Sequence, residues 1–249
     1  MEVNGTTRSR IARNHALITP DTHVPSTPAG WEKTKAYVHI SPLMGARFTQ
    51  YTAVMEKGGV AGTALPGVER VVYVLDGEIG LRSLRSRDVV LRSGGFAYFP
   101  PDELKAQAFV AASDCRLAVF EKRYQAQAGA VPPAFRCGHE DDVTGEPFLG
   151  DDDARLKVLL PTTPDYDLAV NVFTFQPGAR LPLVEIHVME HGLLMLDGEG
   201  VYRLGDDWYP VGRGDIIWMA SYCPQWFVAM GKAPARYLYY KDVNRDPLA

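Results

Sequence analysis

The 249-residue chain lacks most of the features that would commit it to a special environment. It has only three cysteines, Cys115, Cys137 and Cys223, and no Cys-x-x-Cys spacing. So small and odd a set does not suit the disulfide framework of a secreted domain. No apolar run approaches the ~18–20 residues of a membrane span, so no membrane partner is expected. Arginines between Met1 and Arg13 have no apolar stretch behind them, unlike a secretory signal, and a cytoplasmic protein is expected. An excess of basic residues is missing too. The 26 Lys and Arg are outnumbered by 30 Asp and Glu, for a formal charge of -4, and no basic patch or helix-turn-helix segment is found. Nucleic acid is therefore not an expected partner.

What is present is ordinary globular material, 46% hydrophobic and 22% charged, with 23 Gly and 18 Pro that call for many turns. An internal repeat organises it. Glu69-Arg70-Val71-Val72-Tyr73-Val74-Leu75-Asp76-Gly77 aligns with Glu190-His191-Gly192-Leu193-Leu194-Met195-Leu196-Asp197-Gly198 at an offset of 121. At an offset of 120, Ser93–Tyr98 aligns with Arg213–Trp218, and Arg116–Phe120 with Arg236–Tyr240. Three blocks in one order point to a tandem duplication.

Within each half, short segments rich in Val, Tyr, Phe and Leu are separated by Gly, Pro and Asp. Phe48–Met55, Val71–Leu75, Ala169–Phe175, Val201–Leu204 and Arg236–Tyr240 are examples. They read as antiparallel strands closing a sandwich or barrel, an all-β fold. The expected layout is an N-terminal arm over 1–35, a first barrel over 36–124, a linker over 125–154 and a second barrel over 155–249. The linker's acidic runs, Glu140–Asp142 and Asp151–Asp153, read as solvated surface.

Chemistry concentrates in the second half. Glu185, His187 and His191 have odd numbers in a predicted strand region, so Glu185 and His187 share a face and His191 can join them. Two imidazoles and a carboxylate suit a divalent ion such as Mn, Fe, Ni or Zn. Gln225, after Pro224, is a candidate fourth donor. The repeat supplies a control: the matching positions in the first half are Ala64, Pro66, Arg70 and Lys105. None is a good ligand and two are cations, so the first barrel is expected to hold no metal. Glu190 has a counterpart in Glu69 and reads as a structural hydrogen-bonding group. His15, His23 and His39 read as surface or core residues, Trp208, Trp218 and Trp226 as barrel filling, and Cys223 as a small packing residue.

Gly178, Glu185, His187, His191 and Gly198, followed by Gly214-Asp215, Pro224 and Gln225, resemble the two cupin motifs, with Glu and Gln at positions where His is usual. The chain is most similar to bicupins, which carry two tandem cupin (jelly-roll) barrels. Asn14–Asp21, Gly67-Val68-Glu69, Glu185–Gly192 and Lys241–Asp246 narrow the resemblance to the (S)-ureidoglycine aminohydrolase family of allantoin breakdown. That family holds Mn(II) through Glu, two His and Gln, which implies Glu185, His187, His191 and Gln225 here.

The resemblance implies replacement of the amino group of (S)-ureidoglycine, a small anionic substrate, by hydroxyl. It also implies that Tyr202, Tyr237 and Lys241 line the pocket, and cupins commonly form homo-oligomers. Tyr237, Tyr239 and Lys241 share parity on one predicted strand. Lys241 can bind the substrate carboxylate or protonate the leaving amine. Two rival readings use the same residues: a different metal cupin, such as an iron dioxygenase acting on a small acid, and a non-catalytic bicupin that binds a small ligand.

Overall fold

The computed structural model describes residues 6–81, 89–101 and 109–246. Lys105, the expected counterpart of Gln225, lies outside the described residues. The chain is all-β, with twenty-one strands among the described residues and only short 3-10 turns such as Pro20–Thr22 and Glu140–Asp142. No helix among those residues is long and apolar enough to cross a membrane. The chain divides into two compact units.

The N-terminal unit comprises residues 24–144, 158–170 and the residues from 243 onward. Its seven-stranded sheet runs Arg136–His139, Gly95–Phe99, Val68–Asp76, Cys115–Arg123, Phe48–Met55, Thr34–Ile40 and Pro25–Ser26. A three-stranded sheet adds Phe109–Ala111, Glu78–Leu81 and Val89–Arg92. Val72, Val74, Ile79, Leu81, Ala97, Phe99, Leu117 and Val119 meet in a core between the sheets. The alternation of these positions is what a strand with one core-facing side demands.

The C-terminal unit comprises residues up to 23, 145–157 and 171–242. Its eight-stranded sheet runs Arg10–Ile11, His15–Ile18, Ile216–Met219, His191–Asp197, Ala235–Asp242, Leu168–Phe175, Asp151–Val158 and Glu146–Phe148. Its three-stranded sheet holds Asp207–Gly212, Glu199–Leu204 and Gln225–Met230. The core contains Leu193, Met195, Tyr202, Ile217, Met219, Tyr237 and Tyr239, the 120- or 121-offset partners of residues in the other core. Each such buried apolar side chain contributes about 1.5–3 kcal/mol. The duplicated Leu-Asp-Gly turns match as well. Gly77 and Gly198 have φ of 75° and 71°, and a Cβ on either would strike the backbone of residues 114–115 or 234–235. Only glycine fits both demands.

Three expected boundaries change: described residues 158–170 and 243–246, expected in the second barrel, belong to the N-terminal unit. The N-terminal arm is not free of the core: His15–Ile18 pairs with Ile216–Met219, and His15, Ala16 and Leu17 are buried. An apolar His-Ala-Leu-Ile run placed on the edge of Ile216–Met219 gains both ladder hydrogen bonds and burial. Arg8 fastens the segment with two bonds to the buried carboxylate of Asp215, at 2.8 and 2.9 Å. The expected linker over 125–154 is also structured. Arg136–His139 pairs with Gly95–Phe99, and Glu146–Phe148 pairs with Asp151–Val158.

In the N-terminal unit the position matching His191 is filled by the buried Arg70. Its guanidinium donates to Glu121 at 2.6 Å and to the Gly62 carbonyl at 2.7 Å, and lies 5.1 Å over the Trp31 ring. Tyr51 adds a 3.2 Å bond to the same carboxylate. Glu121 stands 120 residues before Lys241, so an internal ion pair occupies what is a cavity in the other copy. Replacing Arg70 with Ala would leave Glu121 without its cation. A loss of about 2–3 kcal/mol is expected, read as a lower midpoint in urea or heat unfolding with metal content unchanged. Loss of bound metal from Arg70→Ala would contradict the assignment.

Candidate metal centre

The site forms where three segments of the C-terminal unit meet. Glu185 and Gln225 make a two-bond antiparallel bridge, with Glu185 N–H donating to Gln225 O at 2.8 Å and Gln225 N–H to Glu185 O at 3.0 Å. Directly opposed residues project to the same side of a sheet. After Glu185 the chain leaves regular pairing, and the Tyr222 N–H holds it by donating to the His187 carbonyl at 2.7 Å. Tyr222 achieves this with φ of 61°, a left-handed conformation costly for an aromatic residue. His191 then opens the strand His191–Asp197, paired on one side with Met219 and on the other with Lys241.

Three of the four expected ligands converge. His187 Nε2 and His191 Nε2 are 3.2 Å apart, and the Gln225 side-chain nitrogen is 2.9 Å from the first and 3.3 Å from the second. His187 Nδ1 donates to the Met189 carbonyl at 3.1 Å. A carbonyl can only accept, so the proton sits on Nδ1 and the Nε2 lone pair faces the cluster. Burial lowers the His191 pKa well below the ordinary range, and His187 and Lys241 push it the same way. Burial thus disfavours the charged form of the His191 ring. A half-turn of the Gln225 amide would exchange its nitrogen for its carbonyl oxygen, the atom able to act as a ligand.

Glu185 does not join the cluster. Among the described residues no three His, Cys, Asp or Glu side chains stand close enough to hold a metal by themselves. Its carboxyl instead lines the same cavity, where burial raises its pKa while His187 and Lys241 oppose that rise. The donor set fits a divalent ion of borderline hardness: two imidazoles and an amide brought together, with a carboxylate in the cavity they share.

The cavity has a volume of about 160 Å³. Drug-sized ligands occupy roughly 300–1,000 Å³, so a small molecule is the fitting occupant. Its polar wall is Glu185, His187, His191, Tyr237, Tyr239 and Lys241, and Phe148, Leu156 and Phe173 supply apolar surface. Lys241 has its pKa lowered by burial, countered by Glu185 and Asp242. Tyr202 does not reach this wall. It is buried in the core and its hydroxyl bonds that of Tyr237, whose pKa burial holds well above the ordinary range.

The remaining candidates have structural surroundings. Glu190 accepts from Trp218 Nε1 at 3.4 Å, as Glu69 accepts from Tyr98 at 2.8 Å, and Tyr98 is the 120-offset partner of Trp218. His15 is buried against Tyr209 at 2.8 Å, and His39 against Thr52 at 2.9 Å. Cys223 packs in the core. Trp208 departs from expectation: it is 57% exposed and stacks edge-on to Trp226 instead of filling the barrel. Phe148 and Leu156 went unrecognised because they fall in or beside the expected linker. The alternation of Ala154 and Leu156 was the available signal.

A cupin domain is matched over residues 171–240, and the all-β units fit that class of fold. The chain is 42% identical over 252 residues to a probable (S)-ureidoglycine aminohydrolase of Oryza sativa subsp. japonica, covering 99% of this chain and 79% of that one. It is 40% identical over 256 residues to the (S)-ureidoglycine aminohydrolase of Arabidopsis thaliana, covering 99% and 82%. The crystal structure of protein Ylba from E. coli superposes with a TM-score of 0.84 at 31% identity, covering 97% of this chain and 96% of that chain. The chain belongs to the (S)-ureidoglycine aminohydrolase family.

Removing one imidazole should dismantle the centre without unfolding the unit. His187→Ala and His191→Ala are each expected to weaken metal affinity by more than about 100-fold, measured by metal analysis after dialysis, with circular dichroism unchanged. Gln225→Ala should cost about tenfold. Either histidine variant retaining a full complement of metal would refute the ligand set.

Proposed function

We propose that this protein hydrolyses (S)-ureidoglycine to (S)-ureidoglycolate and ammonia in ureide breakdown, with Mn(II) as its metal. The reading draws first on the 40–42% identity to relatives of that name over 99% of the chain. The chemistry of the cavity supports it. The reaction breaks a C–N bond, forms a C–O bond from water and releases the nitrogen as ammonia, with no electron transferred to an outside acceptor. A bound divalent ion supplies Lewis-acid charge that neutralises a carboxylate and lowers the pKa of water.

His187, His191 and Gln225 would hold that ion with Glu185, and among them only Glu185 carries charge, so the site keeps a positive balance toward an anionic substrate. Lys241 supplies the cavity's cationic side chain. Its Nζ can hold the substrate carboxylate, or pass a proton to the departing amine. Tyr237 lines the wall with its hydroxyl fixed by Tyr202. Phe148, Leu156 and Phe173 keep bulk water from one side of the cavity, which strengthens every charge interaction within it. The same reading puts the protein in the cytoplasm as a homo-oligomer.

Ammonia release from freshly made (S)-ureidoglycine should exceed spontaneous decay when Mn(II) is supplied and fall to that background with chelator. It should be undiminished without oxygen and yield only the (S) product. Release no faster than the blank, from protein carrying its metal, would overturn the proposal.

A further inference from the structure

Asn171 is a polar residue on the inward face of a strand whose next inward positions are Phe173 and Phe175. It is 2% exposed, and its side chain bonds Tyr239. Its carbonyl oxygen, Oδ1, is buried without a partner. A buried amide left partly unsatisfied destabilises the fold relative to a Val or Leu there, so its presence calls for an explanation.

The orientation of the pair supplies one. The Asn171 bond pulls the Tyr239 pKa down, as an amide N–H donating to the phenol oxygen does, and the Asn171 carbonyl oxygen is the atom left without a partner. The reverse arrangement would let Tyr239 donate to the amide carbonyl but would bury the amide's NH₂ without a partner, and orphaned N–H groups are rarer than under-satisfied carbonyls. A phenol has one proton and can also accept. With its oxygen engaged by Asn171, Tyr239 keeps its own O–H for another acceptor, and no described residue supplies one.

Tyr239 lines the cavity beside the candidate centre. Its ring lies 5.6 Å from that of His191 and stacks on Phe173 at 5.8 Å and 19°. The neighbouring phenols are differently engaged, because Tyr202 and Tyr237 bond each other. A carboxylate already has Lys241 and the cation to meet it. The uncharged O–H donor on a stacked aromatic wall matches an uncharged, planar carbonyl group.

We propose that Tyr239, oriented by Asn171, is the residue that reads the ureido carbonyl of the substrate, and that Asn171 is a positioning residue acting through it. This rests on the ureidoglycine reading of the cavity and adds to it a subsite for the neutral end of the molecule.

Two probes separate the ends of the substrate. N-carbamoylglycine has both the ureido group and the carboxylate, whereas glycolate has a carboxylate and hydroxyl but no ureido group. Binding of each to the metal-loaded enzyme is measured by calorimetry, alongside steady-state kinetics with (S)-ureidoglycine. Tyr239→Phe keeps the ring and its stacking. It is expected to weaken N-carbamoylglycine about tenfold, the scale of one lost hydrogen bond, and glycolate less than twofold. The kinetic loss should fall on KM more than on kcat.

Asn171→Ala should show the same selectivity, and the double variant should be no worse than Tyr239→Phe alone, since the amide acts only through the phenol. Equal weakening of both probes, or of neither, would overturn the subsite even if wild-type turnover stands. Selective weakening in a protein that releases no ammonia from (S)-ureidoglycine would support the subsite and remove the reaction.

Discussion

Two imidazole nitrogens 3.2 Å apart, both turned toward one amide, are an arrangement that proteins do not keep for packing alone. With its proton on Nδ1, His187 turns an Nε2 lone pair toward the other ring, and a cation bound between the two nitrogens would satisfy both. Protonation is disfavoured at His191, because burial penalises the imidazolium and Lys241 is nearby. A divalent ion would satisfy both nitrogens without adding a proton to either ring. Much of the surrounding structure serves this placement. The Met189 carbonyl fixes a tautomer, the strained turn at Tyr222 anchors the His187 backbone, and the bridge from Glu185 to Gln225 brings two strands into register.

The two copies of the repeat show how one scaffold accommodates opposite outcomes. Both retain the Leu-Asp-Gly turn, the same inward-facing core positions and a buried Glu bonded to an aromatic side chain. At the mouth they diverge. His191 opposite Lys241 borders a cavity in one unit, and Arg70 opposite Glu121 closes the matching position in the other. Arg70 brings its own cation, Glu121 neutralises it, and Trp31 covers it. The ion pair satisfies locally what an external ion would have to satisfy otherwise.

Much of this was legible in the sequence because it is periodic or chemical. The offset of 120–121 locates equivalent strands, and the odd spacing of Glu185, His187 and His191 points to the cavity that His187 and His191 line. Other features were not, because they depend on which edge a segment finds. His15–Ile18 looks like part of a proline-rich arm until its partner at Ile216–Met219 is known. Residues 145–157 look like a linker, but their hairpin brings Phe148 and Leu156 to the cavity wall. Parity groups Glu185 with the histidines, but parity says which face a side chain leaves from and not how far its end reaches. Asn171 was hidden for a related reason. One Asn in an apolar strand becomes informative only when its partner proves to be a cavity phenol.

The central claim is that the C-terminal unit alone holds a metal, between His187, His191 and Gln225. Anomalous diffraction from crystals grown with Mn(II) tests it most directly. One peak per chain is predicted, within coordination distance of both Nε2 atoms and the Gln225 carbonyl oxygen, with the Glu185 carboxylate joining them. A peak beside Arg70 and Glu121, two peaks per chain, or a peak that leaves either imidazole uncoordinated would contradict it.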